Sequence, residues 1–315
     1  MKDINRKLYE LFLNNNFLPA DSKSHSIIKN FNADNHLYEM TACLIVTWSD
    51  EYNTLYKIIN GFFCFVQFYP NGSFAFLINR PFLLNDNNEL QQVVDTLFDS
   101  SLKIGIDTIY IKEVEERFLN DFKYLKGYYI NAVYDNNMSE YIFNAQSILE
   151  MRGSKNEEKR RQMRRFADNA DIVLEPITKE NFNQCIEIEK TWCDSHVCEE
   201  CKSFVGCARK TTLIMADIFD GIVYQGFLGY VNGKPAGYII FERESEENAY
   251  FYFAKSTISN FSMHLYYNTI QNHLSSCKRI NLGADVGKSG LRLFKRRLGE
   301  FELQKKYLLT IKREK

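Results

Sequence analysis

Between residues 285 and 295 the chain reads Asp285-Val286-Gly287-Lys288-Ser289-Gly290-Leu291-Arg292, with Lys295 one helical turn further on. Gly287 and Gly290 let the backbone approach a ligand closely. The free N–H groups at the start of a following helix would face an anion. Lys288, Arg292 and Lys295 add positive charge, and Asp285 is the one acid of the group. Asp285 is placed to serve as a base or as an anchor for a substrate amine, with Arg292 or Lys295 steadying negative charge. Asn281 precedes the group on the same run. The spacing is not the GxxxxGK of a phosphate-binding loop. An ordinary strand-to-helix turn, capped by Asp285, uses the same residues.

A second group lies at residues 152–166, RGSKNEEKRRQMRRF, where seven Lys/Arg stand against two Glu. From Lys278 onward twelve Lys/Arg stand against four acids, in a chain whose net charge is −1. Charge separated in this way points to an anionic partner. Lys155 and Lys159, Arg160 and Arg164, and Arg161 and Arg165 are each four apart, so a helix would carry adjacent basic stripes. Such stripes grip a phosphate backbone with salt-dependent affinity, and Lys155, Arg160 and Arg164 are the candidate contacts. The plainer reading is a solvated linker helix docked through Met163 and Phe166.

Cys193, Cys198, Cys201 and Cys207 crowd one stretch with His196 among them. Cys198-Glu199-Glu200-Cys201 has a spacing that suits zinc or an iron–sulfur cluster. A second CxxC is missing, and reduced thiols on a helix–loop–helix fit equally.

These groups need elements to hold them. GFFCFVQFYP (61–70) and SFAFLINRPF (73–82) read as strands joined by Pro70-Asn71-Gly72, and YQGFLGYV (224–231) and PAGYIIFER (235–243) as strands joined by Asn232-Gly233. Helices are expected at 89–100, 114–122, 178–194 with Thr178 as cap, 209–220, 261–274 and 290–297. Further strands are expected at 107–114, 171–175, 249–254, 278–284 and 301–311. At 315 residues and 45% hydrophobic the chain suits two folded domains. The DNNMS stretch at 135–139 separates residues 1–140 from residues 141–315, and the similar order of elements in the two halves suggests a duplicated α/β (α+β) fold. No signal peptide or membrane span is legible, so a cytoplasmic, monomeric protein with mostly reduced cysteines is expected.

Several stretches resemble the family of the phosphatidylglycerol lysyltransferase C-terminal domain (DUF2156), which is built from tandem GNAT-like domains. They are Trp48-Ser49-Asp50, Tyr141-Ile142-Phe143, the basic run from Gly153 to Phe166, and Ile280-Asn281 with Asp285, Gly287, Gly290-Leu291-Arg292 and Lys295. Asn232-Gly233-Lys234-Pro235-Ala236-Gly237 also looks like the central GNAT hairpin. The sequence departs from the family pattern at Ala254 and Gly283, where carboxylates are usual. No segment reads as the lysyltransferases' large membrane domain, which weakens the expectation of a lipid acceptor.

The resemblance implies two tandem GNAT-like domains, each a mixed, mostly antiparallel sheet flanked by helices. It implies an acyltransferase that moves an aminoacyl group from aminoacyl-tRNA to a small-molecule or peptide amine or hydroxyl, in a cleft between the halves. An acyl-CoA donor is the alternative, but the 255–262 loop, KSTISNFS, lacks the glycines that cradle a pyrophosphate. A non-catalytic RNA- or anion-binding protein on the same scaffold is the third reading.

Overall fold

A computed structural model describes residues 3–31, 37–69, 71–81, 87–103, 105–151, 156–169, 171–195 and 207–314. Two seven-stranded sheets organise it. The first contains β1 (Leu18–Pro19), β2 (Leu55–Ile59), β3 (Phe62–Phe68), β4 (Phe74–Asn79), β5 (Thr108–Glu115) and β6 (Tyr128–Tyr134). The second contains β7 (Glu140–Phe143), β8 (Ile172–Pro176), β9 (Tyr224–Val231), β10 (Lys234–Arg243), β11 (Asn248–Ser256), β12 (Arg279–Ala284) and β13 (Phe301–Gln304). The final strand, β14 (Lys306–Arg313), returns to the first sheet.

The spatial orders are β1-β2-β3-β4-β5-β14-β6 and β8-β9-β10-β11-β12-β7-β13. They are one pattern used twice. In each sheet the strand between the fifth and the edge is out of chain order: β14 follows β6 in the first, and β7 precedes β8 in the second. In each, the fourth and fifth strands are parallel and the other neighbours antiparallel. The duplication expected from element order is therefore present in the topology.

Contacts divide the chain accordingly. One compact unit runs to Ser139 and takes in Cys207 and the stretch from Lys305 on, and the other holds the remaining stretches from Glu140 to Gln304. Here the structure corrects the expected grouping of 141–315 and the single strand at 301–311. That run breaks at Lys305, with β13 pairing β7 and β14 pairing β5 and β6. Two further expectations shift. Residues Val114 and Glu115 continue β5, leaving only Leu119–Phe122 helical. Thr178 does not cap the next helix; its N–H donates to Asn181 Oδ1 at 2.7 Å in a tight turn, and the helix begins at Asn183.

Local chemistry explains the hairpins. Asn232 and Gly233 take φ of 52° and 73°, the left-handed pair that a two-residue hairpin requires. Every residue of β3 is buried, Gln67 included, as its mostly apolar run demands for a central strand covered on both faces. In the second unit the helix Phe261–His273 lies tight against the sheet. A Cβ on Gly229 would come within 2.6 Å of the Phe261 ring, so only glycine admits that approach. Among the described residues no helix is long and apolar enough to cross a membrane.

Candidate functional site: the splayed strands of the second sheet

β11 and β12 pair only over Asn248–Tyr250 and Arg279–Asn281. Beyond that point β11 continues to Ser256 and β12 to Ala284 without pairing each other. The two parallel strands part and open a V at their C-terminal ends, where ligands enter open α/β sheets. Asp285 and Gly287 sit at the tip of β12, and the helix Ser289–Leu298 starts directly after them.

A bulge at Gly283 shapes this tip. Asn281 faces Ile142 and Ala284 faces Glu140, so Leu282 and Gly283 share a single partner, Tyr141. Gly283 has φ +67°, a conformation glycine adopts without steric cost. Buried Asn281 fixes the bulge from the side. Its Oδ1 accepts from the Gly283 N–H at 2.8 Å, and its Nδ2 donates to the fully buried Glu140 at 2.7 Å.

Lys295 closes the bulge from above. It is 4% exposed, and its ammonium donates to the carbonyls of Leu282, Gly283 and Ala284 at 2.6, 2.9 and 2.7 Å. An ammonium has three donors, and all three are used. The Tyr141 ring lies 5.4 Å away and adds a cation–π contact.

Asp285, 1% exposed, is equally committed. Arg292 donates to both of its oxygens at 2.7 and 2.9 Å, Tyr141 O–H donates at 2.8 Å and Gly287 N–H at 2.9 Å. Burial alone would raise this carboxyl, but the donors from Arg292, Tyr141 and Gly287 outweigh it and hold Asp285 below its ordinary value. Burial, with the Asp285 carboxylate it faces, pushes the Tyr141 hydroxyl up, so it stays a donor.

Asp285, Asn281, Gly287, Lys288, Arg292 and Lys295, grouped by sequence, thus come together on one strand, turn and helix. Their arrangement makes Asp285 and Lys295 positioning residues: they set the turn and the bulge rather than present a free acid or amine. Lys288 is half-buried at the helix start, with no side-chain cap on the helix's first N–H groups.

The described part of the basic segment forms the helix Glu157–Asn169. Lys159 is buried and donates to the Leu298 carbonyl at the end of the helix Ser289–Leu298, while Arg160 donates to the Met151 carbonyl. Both are fasteners. Arg161 and Arg164 are exposed, as are Arg296 and Arg297 on the last turn of the helix that Lys159 caps. Lys155 lies outside the described residues. So do Cys198 and Cys201, whereas Cys193 and Cys207 are half-buried. Among the described residues no cluster suited to a metal ion occurs.

Sequence reasoning passed over a third group. Glu189 and Trp192, on the helix Asn183–Ser195, hold Lys255 near the end of β11. The Lys255 ammonium is 3.6 Å from a Glu189 oxygen and 3.8 Å above the Trp192 ring. Tyr238 O–H donates to the other Glu189 oxygen at 2.5 Å. The helical spacing of Glu189 and Trp192 was the available signal; what it lacked was a partner 63 or more residues away.

The family model for the phosphatidylglycerol lysyltransferase C-terminal domain matches residues 33–303. Among solved structures, a conserved protein of unknown function from Bacteroides thetaiotaomicron superposes with TM-score 0.80 at 20% identity, over 94% of this chain and 99% of that one. The C-terminal domain (DUF2156) of a putative lysylphosphatidylglycerol synthetase from Agrobacterium fabrum follows at TM-score 0.62 and 13% identity, covering 91% and 90%. L-PGS from Bacillus licheniformis gives TM-score 0.59 at 14% identity, also over 91% and 90%. No curated protein matches the chain in sequence.

Proposed function

The chain belongs to the phosphatidylglycerol lysyltransferase C-terminal family, and on that premise we propose that it transfers an aminoacyl group from aminoacyl-tRNA to an amine or hydroxyl acceptor. One observation carries the reading. The helix Ser289–Leu298 begins at the turn beside the splayed strands and ends under the basic helix, joined there by Lys159. A ten-residue helix is about 15 Å long. Arg161, Arg164, Arg296 and Arg297 therefore stand at a fixed distance from the turn, as a backbone-gripping surface should stand from the ester at the end of a nucleic acid.

In the reaction the acceptor nitrogen or oxygen attacks the ester carbonyl carbon. The carbonyl oxygen becomes an oxyanion, and the N–H groups at the start of Ser289–Leu298, aided by Lys288, stabilise it. The carbon–ribose oxygen bond then breaks, and the proton released by the acceptor ends on the departing ribose oxygen. Asp285 and Lys295 act by holding the turn still. An acyl-CoA donor is less favoured, since the Phe261 N–H at the expected pyrophosphate position already donates to the Ile258 carbonyl at 3.2 Å. A ligand-binding role without catalysis draws support from Gly283 standing where the family usually has a Glu.

The test is binding of aminoacylated against deacylated bulk tRNA across a salt titration, with acetyl-CoA as competitor. Preference for the charged form is expected, and R161E/R164E should lower the salt slope by about 2 if each contacts one phosphate. Absence of tRNA binding at low salt sinks the proposal. Binding without transfer to any acceptor in a screen would favour the non-catalytic role.

A further inference from the structure

A groove of about 460 Å³ opens in the second unit between the helix Asn183–Ser195, the start of β10 and the end of β11. Asn183, Gln184, Glu187, Ile188, Thr191, Pro235 and Thr257 line it. Four of them, at 184, 187, 188 and 191, form one face of the helix. Thr257 follows closely on Lys255, at the end of the strand that forms one lip of the V.

The lining specifies a ligand. None of the described residues that line it is cationic; Lys190, on the same helix, stands 3.9 Å from the exposed Glu187 carboxylate. Tyr230 O–H donates to Gln184 Oε1 at 2.8 Å, which fixes that amide and turns its NH2 into the group left to donate. Thr191 donates its hydroxyl hydrogen to the Glu187 carbonyl and Thr257 to that of Ala236, leaving their oxygens as acceptors. The wall is mostly apolar, with Ile188 and Pro235 contributing to it, and the Glu187 carboxylate, the Gln184 amide and the two threonine oxygens are its polar groups. A matching ligand is uncharged, presents several N–H and O–H donors, accepts one or two hydrogen bonds and has a flat apolar face. Adenosine fits each point. Its amino group meets the threonine oxygens, a ring nitrogen meets Gln184, the ribose diol meets Glu187, and the base covers Ile188 and Pro235.

We propose that this groove is a nucleoside seat and, resting on the aminoacyl-tRNA reading above, that it holds the terminal adenosine of the donor. A ribose held there lies next to the V, where the ester it carries must react.

The test is titration of the full chain with adenosine, 2′,3′-dideoxyadenosine and glucosamine, followed by NMR and calorimetry. Thr191 and Glu187 are exposed on the helix, so substitution at either leaves the fold intact. Adenosine should bind, and T191W should weaken it at least tenfold by filling the groove. E187Q should weaken adenosine about tenfold while leaving dideoxyadenosine unchanged, because it removes one charge-assisted bond to the diol. No adenosine binding, equal binding by T191W, or a preference for glucosamine overturns the proposal. Charged tRNA is the separating arm. If adenosine binds but charged tRNA does not, the donor assignment fails while the nucleoside seat stands. If charged tRNA binds and T191W leaves its affinity unchanged, the seat is not the donor's.

Discussion

β5 and β12 occupy the same place in their sheets and break register at the same point. In β5, Lys112 and Glu113 stand opposite Leu308 alone, because Ile111 faces Leu309 and Val114 faces Tyr307. In β12, Leu282 and Gly283 stand opposite Tyr141 alone. The second residue of each bulge is left-handed, Glu113 at φ +62° and Gly283 at φ +67°. The side chains differ sharply. Glu113 accepts steric strain of about 1–2 kcal/mol and buries a carboxylate against Lys306, also buried, at 2.7 Å. Gly283 has neither strain nor charge, and the buried lysine beside it, Lys295, turns to three carbonyls. Each bulge is thus closed by a buried ammonium, set once against a carboxylate and once against backbone carbonyls. The absent Glu at 283 removes no partner that Lys295 needs.

That contrast predicts its own tests. The largest effect is expected for Glu113→Ala, which removes the buried carboxylate 2.7 Å from the buried Lys306 ammonium and should cost about 3–5 kcal/mol in urea unfolding. E113A/K306M should recover most of this, because an uncharged pair no longer needs solvation. Failure of the double variant to recover would mean the strand requires the charge. Lys295→Met comes next, at about 3 kcal/mol, since three carbonyls lose a charged donor; a loss below about 1 kcal/mol would show that water replaces it. Arg292→Lys keeps the charge but loses the two-pronged grip on Asp285, and should cost about 1–2 kcal/mol together with any transfer activity.

Two pH profiles complete the series. Asp285 is held below its ordinary value, so its stabilisation is present above about pH 4 and is lost as pH falls through the lowered folded value. D285N should flatten that acid limb. Lys159 is opposite in sign. Burial lowers it from 10.5 to about 8, so the unfolded chain binds the proton more tightly and stability rises with pH between those values. K159M should remove that rise from a plot of Tm against pH, the smallest effect expected.

How far the sequence showed this depends on the range of each interaction. Asn71-Gly72 and Asn232-Gly233 announced their hairpins because turn chemistry is local. The Asp285 to Lys295 group was legible as a unit for the same reason. The roles within it were not. Whether a lysine offers its ammonium to a substrate or to Leu282, Gly283 and Ala284 depends on a bulge, and the Tyr141 that completes Asp285 lies 144 residues away. The run 301–311 read as one strand because strand-forming residues resume directly after Gln304-Lys305-Lys306, and three polar residues do not say that the two halves join different sheets.

That division bears on how the protein is made. β6 meets the rest of the first sheet only through β14, whose residues are translated well over 150 positions after β6. Until residue 313 has left the ribosome, β5 has a bare edge, β6 has nothing to pair with, and Glu113 waits without Lys306. Completion of the first unit is deferred until the second has been synthesised, a contact order that predicts slow folding and a nascent chain dependent on protection of an open strand edge.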